Sequence, residues 1–416
     1  MVEMKDSNIE WIGNIPKHWG ICKVKNGFYQ KKSKACQEEP VVLSLARAGV
    51  KVRDITTNEG QLASSYYEYN PVTINDILIN PMDLVSGANC SLSKVEGVIS
   101  PAYINLRYKI GYNPQYYNYY FKYQYWSKAF FTYGKGVSFD NRWTINNETL
   151  MRFPLLHPPL YEQNKIAEFL DEKCAEIDSI SAEIKEQVAT LEEYKKSVIT
   201  EAVTKGLNPN AEMKDSGTKW IGAIPSTWEI KKGKYFLQYL EKPVRDDDDV
   251  ITCFRDGEVT LRRNRREDGF TMSEKEIGYQ GIDVGDLVVH GMDGFAGAIG
   301  ISDSRGKASP VLNVLSTSQN KLYIMYYLRS MAYNGVFIAL ATGIRVRTCD
   351  TNWNKLKELP YPIPNIDEQN KIVEYVSNRL QQLNNIIVDK QTQIEVLEDY
   401  KKTLIYEYVT GKKEVA

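Results

Sequence analysis

The sequence predicts an α+β fold in which two mixed α/β domains form a pseudo-twofold tandem repeat, separated by a long antiparallel two-helix coiled coil. Three observations predict it. The stretch MKDSNIEWIGNIPKHWGI at 4–21 returns as MKDSGTKWIGAIPSTWEI at 213–230, identical at 11 of 18 positions, Trp11 with Trp220, Pro16 with Pro225 and Trp19 with Trp228 among them. Each copy closes with a segment free of Pro and Gly, from Tyr161 to Lys205 in the first and up to Gly411 in the second. In those segments apolar residues recur at steps of three and four, the seam of a coiled coil.

The first domain spans 1–158 and the first helical segment 159–205; the second domain spans 206–363 and the C-terminal helix 364–416. The self-similarity extends beyond the opening motif. EQNKI stands at 162–166 and again at 368–372, and LEEYKK at 191–196 returns as LEDYKK at 397–402. Fainter echoes fill the middle, NDILINPMD at 75–83 with GDLVVHGMD at 285–293. Short β-type runs such as VVLSLA (41–46) and DLVVH (286–290), punctuated by Gly, Pro and Asn, read as strands, and one helix is expected near 115–131 and 322–341. Pro158 and Pro159, then Pro362 and Pro364, precede the long helices, and Gly206 and Gly411 follow them. The predicted seam runs through Ile177, Ile180, Ile184, Leu191 and Val198 in one helix and Leu380, Leu383, Ile387, Ile394 and Leu397 in the other.

Length fixes the sense of pairing. A helix of about 40 residues spans roughly 60 Å, whereas a domain of ~150 residues is about 40 Å across. The second domain begins where the first helix ends and finishes where the second starts. It is too small to bridge the rod, so the helices are expected to run antiparallel, with the repeated Trp/Pro segment capping the joint between domain and rod.

The 416 residues carry a net charge of −1, but the charge is segregated. Residues 1–158 hold 18 basic against 13 acidic side chains, and 159–205 hold 6 against 11. No apolar run approaches the ~18 residues of a membrane span, and the N-terminus lacks a signal-peptide core, so a cytoplasmic location is expected. Six scattered cysteines without a CxxC pair and three histidines without ligand spacing give no metal framework. A GxxxxGK[ST] phosphate loop is absent. So is an [DNS]PP[YFW] methyltransferase tetrapeptide, HPPL at 157–160 not qualifying. The chain is therefore read as non-catalytic. Two separated, non-identical heads with basic residues suit a bipartite duplex, since sites on one face of B-DNA repeat every ~34 to 36 Å. The alternative is an architectural scaffold joining two protein-binding heads without DNA.

The paired WIGNIPKHW and WIGAIPSTW, and above all the P-x-x-x-EQNKI run that opens a long helix at 158–166 and 364–372, resemble the specificity (S) subunit of type I restriction-modification systems, the HsdS family. The resemblance covers nearly the whole chain. It implies that each head is a target recognition domain binding one half of a split DNA sequence and that the coiled coil sets the gap. It also implies that two modification (M) subunits, carrying S-adenosylmethionine, dock on this scaffold, and that restriction (R) subunits using ATP and Mg can join. No cofactor is expected in this chain.

Candidate DNA contacts lie at matching places in the two heads. Arg47 and Arg255 (R-A-G and R-D-G) follow a strand in each copy, and arginine is the usual bidentate reader of guanine. Arg53 lies in SLARAGVKVRDITT, the stretch opposite CFRDGEVTLRRNRRED. Arg262, Arg263, Arg265 and Arg266 form RRNRR, a phosphate-binding candidate. Lys135 and Arg142 around Gly136, and Arg345 and Arg347 after Gly343, follow the helix of each head. YYNYYFKYQYWSKAFFTYGKG (116–136) has the look of a base-stacking platform, but a helix packed on its sheet explains it and its copy better. GMDGFAGAIG (291–300) reads as a Gly-rich turn, and Asp246 to Asp249 as a solvated loop. Glu162, Gln163 and Asn164 with Glu368, Gln369 and Asn370, and Tyr194 to Lys196 with Tyr400 to Lys402, either cap the rod ends or dock two copies of a partner.

Overall fold

The computed structural model describes residues 3–47, 49–56, 63, 65–82, 84, 89–136, 143–265, 277–341 and 351–415. Two compact units emerge, one made of Met1–Ile184 with Thr392–Ala416, the other of Lys185–Gln391. The division passes through both long helices, Leu160–Lys205 and Ile366–Val409, so each unit owns one head and a half of each helix.

In each unit an antiparallel four-stranded sheet has the same spatial order. The first unit lines up Phe28–Gln30, Ile104–Tyr108, Ile77–Ile79 and Cys90–Leu92. The second lines up Leu237–Tyr239, Leu312–Thr317, Leu287–His290 and Ile299–Ile301. The inner strands are covered on both faces, and strand alternation assigns each residue to a layer. Ile77 and Ile79 join the cluster containing the head helix, while Leu78 between them joins Leu43, Leu45, Val72 and Ile99 on the other side. Leu287 and Val289 divide from Val288 in the same way. Each head is thus three layers, helix, sheet and hairpin.

The helix layer is Pro114–Trp126 in one unit and Lys321–Tyr333 in the other, capped by the side chains of Asn113 and Asn320. Tyr116, Tyr117, Tyr120 and Phe121 are fully buried there, so the tyrosine-rich run is core and offers no open stacking platform. Both helices stop at a left-handed residue, Lys128 (φ 57°) or Gly335 (φ 67°), before one further short turn.

The helix halves are antiparallel within each unit. In the first, Phe169 packs on Tyr408 with ring centroids 4.4 Å apart, and Asp178 pairs with Lys401 at 2.6 Å. In the second, Lys390 donates to Gln187 at 2.5 Å and Arg379 to Tyr194 at 3.4 Å. Along the C-terminal helix Leu383 and Ile387 are buried and Leu380, Ile394 and Leu397 half-buried, as the predicted seam requires. The central helix departs from its predicted seam at one position. Ile177, Ile184 and Val198 are buried and Leu191 half-buried, but Ile180 is 46% exposed and the seam passes through Ser181 instead. The stripe Cys174, Ile177, Ser181, Ile184, Val188, Leu191, Lys195, Val198 keeps one strict 3–4 alternation, and Ile180 falls about 100° off it.

Candidate nucleic-acid interface

The outermost layer of each head is a β-hairpin, Leu43–Ala46 with Gly49–Val52 and Ile251–Cys253 with Val259–Leu261. Its apolar side grips the sheet and its turn projects outward. Arg47 stands in the first turn and Arg255 in the second, so the two arginines do occupy equivalent places, both exposed. The second turn is closed by the Gly257 N–H on the Phe254 carbonyl (2.8 Å) and the Phe254 N–H on the Glu258 carbonyl (2.8 Å).

Around that second turn lies a groove of about 900 Å³. Arg255, Arg262 and Arg265 line it together with Asp256, His290, Asp293, Thr252 and Ser309. Its cations are not free. Arg255 meets Asp293 Oδ1 at 3.0 Å. Arg265 holds Asp256 with both nitrogens, at 2.5 and 3.0 Å, reaches Glu258 at 3.1 Å and lies 4.3 Å from the Phe254 ring centroid. Arg262 directs Nε to Thr252 Oγ1 at 3.4 Å. Burial raises the Asp256 carboxyl, but the hydrogen bonds from Arg265 and the Glu258 N–H outweigh it, and the group stays below the usual carboxylate range. Burial pushes the Cys253 thiol up to about 12, which leaves it neutral.

His290 is among the residues that line the groove. Its Nδ1 accepts the backbone N–H of Met292 (3.2 Å) and of Asp293 (3.0 Å), so the neutral ring carries its proton on Nε2. Burial holds the imidazole below its ordinary 6.5, with Arg255 adding to the effect against the pull of Asp293. Asn80 does the same turn-bracing work in the first head, its Oδ1 accepting from the Met82 N–H at 3.0 Å. Because the unfolded state binds the proton more readily, His290 costs stability as pH falls below about 6.5. A His290→Asn variant is expected to lose that part of the slope; melting temperatures of both proteins between pH 5 and 7.5 check it.

Other predicted contacts have different surroundings. Arg263 is paired with Asp249 outside the groove, and Asp248, far from being a solvated loop residue, is 7% exposed and accepts from the Arg245 N–H and from Arg305, both at 2.8 Å. Arg53 is half-buried on the first hairpin, and its N–H donates to the Val42 carbonyl at 2.8 Å. Lys135 is exposed, its backbone bridged to Thr144. Arg142, Arg266, Arg345 and Arg347 lie outside the described residues. The sequence reading missed His290 and Asp293, although the echo of NDILINPMD in GDLVVHGMD marked the place.

The repeated E-Q-N triplet works inside the heads. Glu162 accepts from the Trp19 indole and pairs with His18, both at 2.7 Å. Gln163, fully buried, accepts the N–H of Asn113 (2.8 Å) and donates to the carbonyls of Pro158 (2.8 Å) and Gly111 (3.3 Å). Asn164 takes the side chain of Asn113 at 2.7 Å. The second copy repeats most of these bonds, with Thr227 in place of His18 and with Gln369 donating to Gln319 Oε1 (2.7 Å) where Gln163 reaches the Gly111 carbonyl. Trp228 donates to Glu368 at 2.9 Å, the Asn320 N–H to Gln369 at 2.9 Å, and the Asn320 side chain to Asn370 at 2.8 Å. The Trp also meets the end of the other helix, since a Cβ on Gly411 (φ +69°) would lie 3.0 Å from Trp19 and one on Gly206 (φ +73°) 3.2 Å from Trp228. This geometry favours the capping role for these six residues. Of the Tyr-Lys-Lys pair, Lys195 and Lys196 hold Glu192 and Glu193, and Lys401 and Lys402 hold Asp178 and Asp399.

Among the described residues no group of three His, Cys, Asp or Glu is placed to hold a metal, and no helix is long and apolar enough to cross a membrane. No protein-family model matches the chain. Curated relatives do. The chain is 25% identical over 411 residues to the type I restriction enzyme EcoBI specificity subunit of Escherichia coli, covering 90% of this chain and 82% of that one. It is 24% identical over 307 residues to the MjaVIII specificity subunit of Methanocaldococcus jannaschii, covering 68% and 66%. Among solved structures, a chain from a study of complex assembly in the type I R-M system superposes with a TM-score of 0.67 at 11% identity, over 96% of this chain and 99% of that one. The HsdS subunit from Thermoanaerobacter tengcongensis gives 0.50 at 12% identity, over 96% and 98%. Doubled heads on doubled mounts, a fold shared with these solved structures and relatives matched along most of their length make this chain similar to the specificity subunits of type I restriction-modification systems, the HsdS family.

Proposed function

We propose that the chain is the DNA sequence-specificity subunit of a type I restriction-modification complex. Each head binds one half of a bipartite double-stranded target, and the paired helices set the gap. The observation that carries this is the contrast within the repeat: the mounts share the Trp–Glu, Asn–Gln and Asn–Asn hydrogen bonds of the E-Q-N triplet, while the hairpin turns that face outward differ. A protein that needs one mount and two readings of DNA has this pattern. The chain does no chemistry itself. Methylation belongs to two M subunits that bring S-adenosylmethionine, and cleavage to R subunits that bring ATP and Mg; the specificity-subunit relatives support this division.

Binding to duplex DNA across a salt series tests the proposal. Each neutralised phosphate contributes a slope of about −0.9 to log K against log salt, so even two contacts give a roughly tenfold loss between 50 and 200 mM. Negligible binding at every salt concentration, with M subunits present, refutes it.

A further inference from the structure

Resting on the specificity reading above, we propose that Arg255 and Asp293 together read one G·C base pair in the half-site bound by the second head, Arg255 donating to guanine and Asp293 accepting from cytosine. In the major groove a G·C pair shows two acceptors, guanine N7 and O6, beside a donor, the cytosine N4 amino group. O6 and N4 are bonded to each other in the pair, so its reader needs a donor and an acceptor side by side, one hydrogen bond apart. Arg255 Nη2 and Asp293 Oδ1 are 3.0 Å apart.

The surroundings single out this pair from the other charges in the groove. Arg265 is held by two carboxylates and a ring, and Arg263 by Asp249, so both brace the hairpin. Arg255 stands on the projecting turn with its side chain 68% exposed, and Asp293 is its single ion-pair partner among the described residues. An exposed pair of this kind is weak, so exchanging it for a base edge is not opposed. The loop carrying Asp293 is built to meet the turn. Gly297 (φ +98°) leaves room for it, since a Cβ there would lie 2.7 Å from the Arg255 carbonyl oxygen. His290 fixes the Asp293 N–H at 3.0 Å.

The same chemistry rejects the other pairs. A reversed C·G pair sets the cytosine amino group against Arg255 and guanine O6 against Asp293, two like-with-like contacts. An A·T pair sets the adenine amino group against the guanidinium. A T·A pair keeps one acceptor and one donor but puts the thymine methyl where guanine N7 would take the second guanidinium N–H.

The test selects duplexes from a random-sequence pool with the full chain assembled with its M subunits, comparing wild type with Arg255→Lys, Asp293→Asn and Asp293→Glu. The variants change an exposed arginine and a half-buried aspartate, and their melting temperatures verify folding. The wild type is expected to show an invariant G·C at one position of one half-site. Arg255→Lys keeps the charge and loses the fork, and Asp293→Asn keeps the shape and loses the charge. Each is expected to relax that one position by about 10- to 100-fold and leave the rest of the target unchanged. Asp293→Glu, which displaces the carboxylate by one methylene, is expected to relax the same position. Unchanged preferences in the variants, or a loss spread evenly over all sequences as for a phosphate contact, overturns the paired readout. A wild-type complex that enriches no sequence overturns the broader specificity reading instead.

Discussion

Inserting seven residues into both long helices, after Ile184 and after Gln391, is expected to abolish methylation of the native target and create a new one with the same two half-sequences and a longer gap. One heptad adds about 10 Å to an α-helix, or about three base pairs at 3.4 Å each. The 3–4 seam through Ile177, Ser181 and Ile184 in one helix and Leu383 and Ile387 in the other survives a heptad because the repeat is seven. An insertion of five residues would instead turn the buried stripe toward solvent, and loss of folded protein is expected from it. Mapping methylated adenines in a host carrying the heptad variant gives the outcome. Altered half-sequences, or an unaltered gap, would remove the spacer role from these helices.

The second large effect concerns stability. Gln163→Leu and Gln369→Leu are each expected to destabilise their own unit by about 2 to 5 kcal/mol. Either change leaves a half-buried backbone N–H, of Asn113 or Asn320, and a buried proline carbonyl without the glutamine partner. Each such orphan costs about 1–3 kcal/mol. For units of this size the shift in melting temperature is about 5 to 15 °C. Asn164→Ala removes only a bond at the exposed rim and is expected to cost less than about 1 kcal/mol. Thermal denaturation of the three variants ranks them; equal effects would mean that burial at the glutamines plays no part.

The repeat, the long helices and the seam of the C-terminal helix were legible in the sequence because each is a periodic signal summed over many residues. Local facing was not. Ile180 and Ser181 are one residue apart, and apolarity favours the wrong one; the neighbouring helix half, absent from any local window, decides between them. The glutamines illustrate the opposite failure. A polar triplet at a helix start reads as surface, and only the three-dimensional convergence of a loop carbonyl, the Pro158 carbonyl and an N-cap asparagine makes Gln163 an interior residue. In the groove, Arg255 was visible as a residue type after a strand, whereas Asp293 sits 38 positions away and is joined to it by the sheet.

The strand Gly20–Lys23 pairs with Pro154–His157, and Glu229–Lys232 pairs with Pro360–Ile363. Each head therefore leaves and rejoins its mount through two adjacent antiparallel strands, some 5 Å apart. All the tolerance of the design resides at this doorway. Whatever is strung between the two strands can lengthen, shorten or change its chemistry, provided that its ends come back together, and the helices below will not register the difference.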